Sequence, residues 1–323
     1  MAGLIDRFTG CILGAAIGDA LGMPNEDLTL EERDLYYGGE VSDFIKPDRK
    51  APCRFLKAGQ YTDDTQLILA TSEALIESNG FDPDSMKRKL IQWLDMKDES
   101  RYRGEATKRG IENLKKGIPW QEAGIDKAGC GSATRAIPFG LYYYSNANNA
   151  MKYARLSSSM THNNDIAKDS AACVAAMIAD LLKGRIGQFD YLKQIALTIE
   201  VKNKLDDVER CLSNSRNIEQ GIEEIGNSSI AHEVVGMALF IFLSNLSDFE
   251  SAVVTGANAV AKRKKGDTDS IACLIGDMSG AYNGVGSIPK KWLDGIENGK
   301  KLTIIAQKLF KSRTSFGNLS PGT

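Results

Sequence analysis

Two short acidic segments, Thr62-Asp63-Asp64-Thr65 and Asp267-Thr268-Asp269-Ser270, hold the residues best suited to chemistry in this chain. Each pairs two carboxylates with hydroxyl groups. Each also opens an apolar stripe at helical spacing: Leu67, Ala70, Thr71 and Ala74 follow the first, and Ile271, Leu274, Ile275 and Met278 follow the second. Both segments therefore sit at helix N-termini, where a carboxylate or hydroxyl commonly caps the first turn. A cap needs one acceptor, whereas like charges crowded at two helix starts are costly unless a cation neutralises them. Oxygen-only donors select Mg²⁺, Mn²⁺ or Ca²⁺ over zinc. Residue types alone leave the capping role and the metal role both open.

The chain of 323 residues is long enough for one large core, and its composition, 42% hydrophobic and 25% charged, is that of a globular protein. A net charge of −2 gives no general attraction for nucleic acid or anionic membrane. The six cysteines are scattered and mostly embedded in apolar runs, which suits reduced thiols in a cytoplasmic protein. The apolar stretch Cys11–Ile17 is too short to span a bilayer and lacks a basic start.

The elements that must position the acidic segments are helical. Periodicity predicts helices over Arg7–Leu21, Asp64–Ser78, Asp84–Met96, Ala106–Lys115, Ile166–Lys183, Asp190–Lys202, Ile230–Leu243, Phe249–Lys262 and Ser270–Tyr282. Gly140–Tyr144 is strand-like but has no hairpin partner. The expectation is an all-α, single multi-helix domain over 1–310, with 25–60 as a flap beside the first acidic segment and 311–323 as a flexible tail. In the first helix Gly10, Gly14, Gly18 and Gly22 form a smooth stripe for close packing, and Asp19 within it needs a partner. Gly129-Cys130-Gly131-Ser132-Ala133-Thr134-Arg135 exposes backbone N–H groups suited to an anion or makes an ordinary turn, and His162 is a loop histidine with either a structural or a chemical role.

Taken in order, Gly14-to-Gly22 with Asp19, Tyr61-to-Thr65, the Gly129-to-Arg135 loop, Thr161-His162 and Gly266-to-Ser270 resemble the ADP-ribosylglycohydrolase family, from about Arg7 to about Gly284. That family includes dinitrogenase reductase-activating glycohydrolase and the ADP-ribosylarginine and ADP-ribosylserine hydrolases. The resemblance implies an all-α fold with a binuclear cleft holding two Mg²⁺ or Mn²⁺. Thr62, Asp63, Asp64, Asp267, Asp269 and Ser270 would be the ligands. Glu26 would border the metals, with Glu26 or Asp64 as general base and Glu26 slightly favoured. Gly104, Lys127, Gly129, Gly131, Ser132 and His162 would hold the diphosphate and distal ribose.

The reaction implied is hydrolysis of the glycosidic bond between that ribose and a protein side chain or small acceptor, releasing ADP-ribose. The resemblance leaves two alternatives, an O-acyl-ADP-ribose or small-molecule ADP-ribosyl hydrolase, and a non-catalytic ADP-ribose binder. Cys130 replaces the usual asparagine of the Gly-rich loop, an exchange expected to alter adenosine-side contacts. Lys265 stands where a glycine is common, and either meets a phosphate or is solvated. Arg101 and Arg103 beside Gly104 would repel a guanidinium leaving group, with Asp98 and Glu99 near enough to compensate.

Overall fold

A computed structural model describes residues 2–96, 101, 104–262 and 264–313; Asp98, Glu99, Arg103 and 314–323 of the expected tail lie outside them. The described residues contain no strand, only the isolated bridges Ile125–His162 and Gly129–Ile230. In chain order the helices are α1 (Leu4–Gly22), α2 (Leu30–Tyr37), α3 (Asp63–Ser78), α4 (Pro83–Asp95), α5 (Glu105–Lys115), α6 (Gly131–Thr134), α7 (Ile137–Tyr142), α8 (Ala147–Ser158) and α9 (Asp165–Leu181). They continue as α10 (Phe189–Ile195), α11 (Ile199–Ser213), α12 (Ile218–Glu224), α13 (Ala231–Ser244), α14 (Phe249–Ala257), α15 (Thr268–Asn283), α16 (Lys290–Gly295) and α17 (Gly299–Ser312). A continuous apolar core runs from Phe8 in α1 to Leu309 in α17.

The centre of the molecule is the antiparallel pair α1 and α15. Glycines spaced by four face one another: a Cβ on Gly14 would collide with the Gly276 carbonyl, and one on Gly276 with the Gly14 carbonyl. Gly10 meets Gly280 in the same way, Gly18 meets Ala272 and Gly22 meets Thr268. The helices touch backbone to backbone, which only residues without a Cβ permit. α1 and α15 are buried along nearly their whole length, so both are mostly apolar on every side, with Arg7 and Asp19 in α1 and Asp269 and Asp277 in α15 as buried charged exceptions. Arg7 closes the far end by donating to the Ala281 carbonyl at 2.6 Å and to the last carbonyls of α9.

The structure corrects several expectations. Gly140–Tyr144 is not strand-like: Pro138 sits in the first turn of α7, and the tyrosines follow on a helix and its end. Asp190–Lys202 is two helices. Asp169 of α9 accepts the Leu197 and Thr198 N–H groups at 2.7 and 2.6 Å, pinning the two residues before the second helix and holding the break open. The helix expected over Phe249–Lys262 stops at Ala257, because Asn258 turns its amide to Val41, donating to its carbonyl and accepting its N–H, both at 2.9 Å. That bond also anchors the segment 25–60, which is not structureless. It contains α2, started by a Thr29/Glu32 capping box and ended by Gly38 at φ 76°. At the C-terminus, helix continues through Ser312 rather than fraying from Lys311.

Candidate active site

α3 and α15 aim their N-termini at one cleft of about 580 Å³, and the end of α1 closes its floor. Carboxylates from outside the acidic segments reach these helix starts, while within them Asp269 accepts the Ser270 N–H at 2.8 Å. Asp19 accepts the Thr62 N–H at 2.8 Å, the Thr65 N–H at 3.0 Å and the Thr65 hydroxyl at 2.6 Å. Glu26 accepts the Thr268 N–H at 3.0 Å. Asp267, at the N-cap position of α15, makes no side-chain cap bond. The capping work is thus done chiefly by Asp19, Glu26 and the Thr62 hydroxyl, which accepts from the Asp64 N–H at 3.4 Å. This leaves Asp63, Asp64, Asp267 and Asp269 lining the cleft.

Oxygens of Glu26, Asp267 and Asp269 lie within 4.8 Å of one another, and all three residues are buried. Asp64 is held on both oxygens, by the Thr134 and Ser270 hydroxyls at 2.7 Å each. Asp63 accepts the Gly104 N–H at 3.3 Å. Among the described residues no lysine or arginine forms an ion pair with any of these five carboxylates. Burial, with Asp19 and Asp267 nearby, pushes Asp64 up to about 7. Burial and Asp267 raise Glu26, burial and Glu26 raise Asp269, and partial burial and Asp64 raise Asp63, each well above the ordinary carboxylate range. Converging hard oxygens without a protein cation fit a bound divalent cation.

The opposite wall is the Gly-rich loop. The Ala231 N–H donates to the Ala128 carbonyl at 2.8 Å and the Cys130 N–H to the Ser229 carbonyl at 3.1 Å, so two loops far apart in sequence form one surface. Gly104, Lys127, Gly129, Gly131 and His162 all line the cleft. Burial, with the charges of Arg135 and Lys127, lowers His162 to about 3, so the ring is neutral.

Some expected site residues sit elsewhere. Ser132 is buried behind the wall with its hydroxyl 2.8 Å from that of Ser158, and Thr62 lies under the floor as the cap of α3. Cys130 donates its S–H to Asp267 at 3.1 Å, which puts its influence on the acidic cluster. Lys265 is neither free nor simply solvated, for it pairs with Asp27 at 3.3 Å at the cleft edge. Arg101 does not face the cleft with an unpaired charge: it donates to Glu297 at 2.9 Å and to the Tyr61 carbonyl at 2.9 Å.

A sequence model of the ADP-ribosylglycohydrolase family matches residues 1–317. The chain belongs to the ADP-ribosylglycohydrolase family. Members of this family hydrolyse glycosyl bonds, and this chain is an enzyme of that kind. It is 34% identical over 320 residues to an uncharacterized protein of Archaeoglobus fulgidus, covering 95% of this chain and 96% of the relative. The ADP-ribosylarginine hydrolase Tri1 of Pseudomonas putida is 27% identical over 316 residues, covering 95% of this chain and 78% of its own. Human ADP-ribosylhydrolase ARH3 is 27% identical over 350 residues, covering 95% and 93%. A solved ADP-ribosylglycohydrolase-related protein complex superposes with a TM-score of 0.76 at 25% identity, covering 96% of this chain and 99% of that one.

Several contributors to the cleft of this ADP-ribosylglycohydrolase are absent from the sequence reading, Glu105, Ala106 and Thr107 at the start of α5 among them. Thr134, which holds Asp64, was passed over as part of the loop; Asp27, Ser228 and Ser229 carry no local pattern and reach the cleft only through the fold. Asp19 was legible only as a buried carboxylate in need of a partner.

Proposed function

We propose that this enzyme cleaves the glycosidic bond between the distal ribose of ADP-ribose and an acceptor, an ADP-ribosylated protein side chain or small molecule, and releases ADP-ribose. The observation that carries the reading is the convergence of Glu26, Asp63, Asp64, Asp267 and Asp269 on one cleft without a protein cation among the described residues. The family relationship and the Pseudomonas putida and human relatives named for ADP-ribosyl hydrolysis support it.

Asp63 and Asp64 from α3, with the Thr62 hydroxyl capping the helix beneath them, and Asp267, Asp269 and Ser270 from α15 would hold two Mg²⁺ or Mn²⁺. When bound, such cations supply positive charge to fix the vicinal hydroxyls of a ribose and make a water more acidic. The remaining work falls to the chain. Glu26 is the better general base, because both oxygens of Asp64 are already engaged by Thr134 and Ser270. The surrounding carboxylates favour the positive charge that develops at the anomeric carbon as the bond breaks. Gly104, Lys127, Gly129, Gly131 and His162 form the wall on which the rest of ADP-ribose is held, with Ser132 supporting it from behind. Because Glu297 neutralises Arg101, that arginine gives no reason to exclude a guanidinium leaving group.

The test is release of ADP-ribose from arginine-, serine- and acyl-linked substrates, with Mg²⁺, with Mn²⁺ and with EDTA. Metal-dependent release from one linkage is the expected result and names the acceptor. ADP-ribose binding with no release from any linkage would identify a binder instead.

A further inference from the structure

His162 carries a hydrogen-bond relay on its far side that the reaction described above does not use. Arg135, which follows α6 and is 1% exposed, donates to the Ser157 carbonyl at 2.7 Å and to the Thr161 hydroxyl oxygen at 2.8 Å. A guanidinium only donates, so Thr161 accepts there. The other partner of the Thr161 hydroxyl is Nδ1 of His162, at 3.0 Å. Thr161 is fully buried, and Nδ1 is the acceptor available to its hydrogen among the described residues. Leaving that bond unmade at such depth is costly, because the group has no water to turn to.

We propose that Arg135 and Thr161 are positioning residues that fix His162 as its Nε2–H tautomer, making the ring a donor to an oxygen lone pair of the ligand in the cleft. The backbone holds the ring's base: the His162 N–H donates to the Ser158 carbonyl at 2.8 Å, and the Ser158 hydroxyl donates to the His162 carbonyl at 3.1 Å. The ring edge is set against the Gly-rich loop, where a Cβ on Gly129 would come to 3.0 Å from Nε2 and one on Gly131 to 3.4 Å from Cε1. Nε2 has no protein partner among the described residues, and His162 lines the cleft. A ring in this state cannot take a proton through Nδ1, and at Nε2 it offers only a hydrogen. It therefore selects an acceptor, a phosphate or ribose oxygen, and serves neither as base nor as partner to an N–H group. The ligand half of the inference rests on the function proposed above; the tautomer does not.

The chain has two histidines, His162 and His232, so the ¹⁵N imidazole spectrum of the ligand-free protein reads the tautomer directly, with His232→Gln giving the assignment. The expected result is Nε2–H in the wild type and in Thr161→Ser, and loss of that preference in Thr161→Val. Binding of ADP-ribose should weaken about tenfold in Thr161→Val and recover in Thr161→Ser, with turnover at saturation little changed. Repeating the titration with ADP locates the acceptor: an equal loss points to a diphosphate oxygen, no loss to the distal ribose. An Nδ1–H ring in the wild type would overturn the proposal even if Thr161→Val failed to fold. So would an unchanged tautomer and affinity in a folded Thr161→Val. An Nε2–H ring in a protein that binds no ADP-ribose would uphold the relay and count against the function, which separates the two.

Discussion

Asp19 on α1 accepts both the backbone N–H and the hydroxyl of Thr65 on α3, at 3.0 and 2.6 Å, so one helix supplies the cap of another. Replacing it by Ala strands these two groups and the Thr62 N–H in a fully buried place. Asp19→Ala should cost about 2 kcal/mol or more in chemical denaturation, and should weaken Mn²⁺ binding by letting the start of α3 shift. Unchanged stability and metal affinity would show that the cap is dispensable.

Asp269 gives a prediction of opposite sign for activity and stability. Burial and the neighbouring Glu26 make its charge costly in the metal-free protein. Asp269→Asn should therefore lower turnover on the order of 10²-fold or more while leaving the metal-free melting temperature equal or higher. Asp63→Ala should likewise abolish turnover and keep the fold. Near-wild-type rates in either variant, with metal present, would remove the residue from the ligand set.

The pH dependence follows from the same crowding. Asp64 is raised to about 7 and Asp19 to about 6, against about 3.9 in an unfolded chain. Between those limits the folded state binds more protons than the unfolded one, so metal-free stability falls as pH rises from about 4 to about 7. Melting curves should show Mg²⁺ or Mn²⁺ raising the transition more at pH 8 than at pH 5.5. Equal shifts at both values would contradict the linkage.

Cys130 gives its S–H to Asp267 at 3.1 Å, and burial with that carboxylate raises the thiol so that it stays protonated. Cys130→Ala should weaken Mn²⁺ binding up to about tenfold, and Cys130→Asn, which restores a donor, should recover most of it. Calorimetric titration of the two variants separates this from a change confined to ADP-ribose affinity.

Much of this architecture could be read from the chain, for identifiable reasons. The glycine stripe from Gly10 to Gly22 announced close packing because a four-residue repeat of one residue type has few other uses. The two acidic segments announced helix starts because their apolar stripes begin immediately afterwards. What stayed hidden depends on partners distant in sequence. The break between α10 and α11 is made by Asp169, and the early end of α14 by Asn258 reaching Val41, neither visible in a local window. The assignment of caps to Asp19 and Glu26, and hence the freeing of Asp267, likewise needs the fold. α17 carries a regular stripe, Leu302, Ile305, Ala306 and Leu309, that local periodicity could have shown, whereas α8 buries mostly small residues and α12 only Gly221 and Ile222, which leave a weak signal.

The packing of α1 on α15 tolerates no added atom along its seam. Gly14→Val should destabilise by at least about 3 kcal/mol, since its side chain must displace the Gly276 backbone rather than another side chain. A stable, fully active Gly14→Val would mean that the seam can open.

The same seam has a consequence for the order of events during synthesis. During synthesis α1 cannot find its partner until α15 follows it, about 250 residues later in the chain (Leu4–Gly22 to Thr268–Asn283). Asp19 can meet α3 early, but until α15 arrives Glu26 has no Thr268 N–H to accept, and the intervening helices must wait with an unfilled axis. The cleft is thus one of the last features to exist, and a nascent or truncated chain lacking α15 would have no place to gather a cation. Catalytic competence waits on the meeting of two helices, α1 and α15, that most of the chain separates.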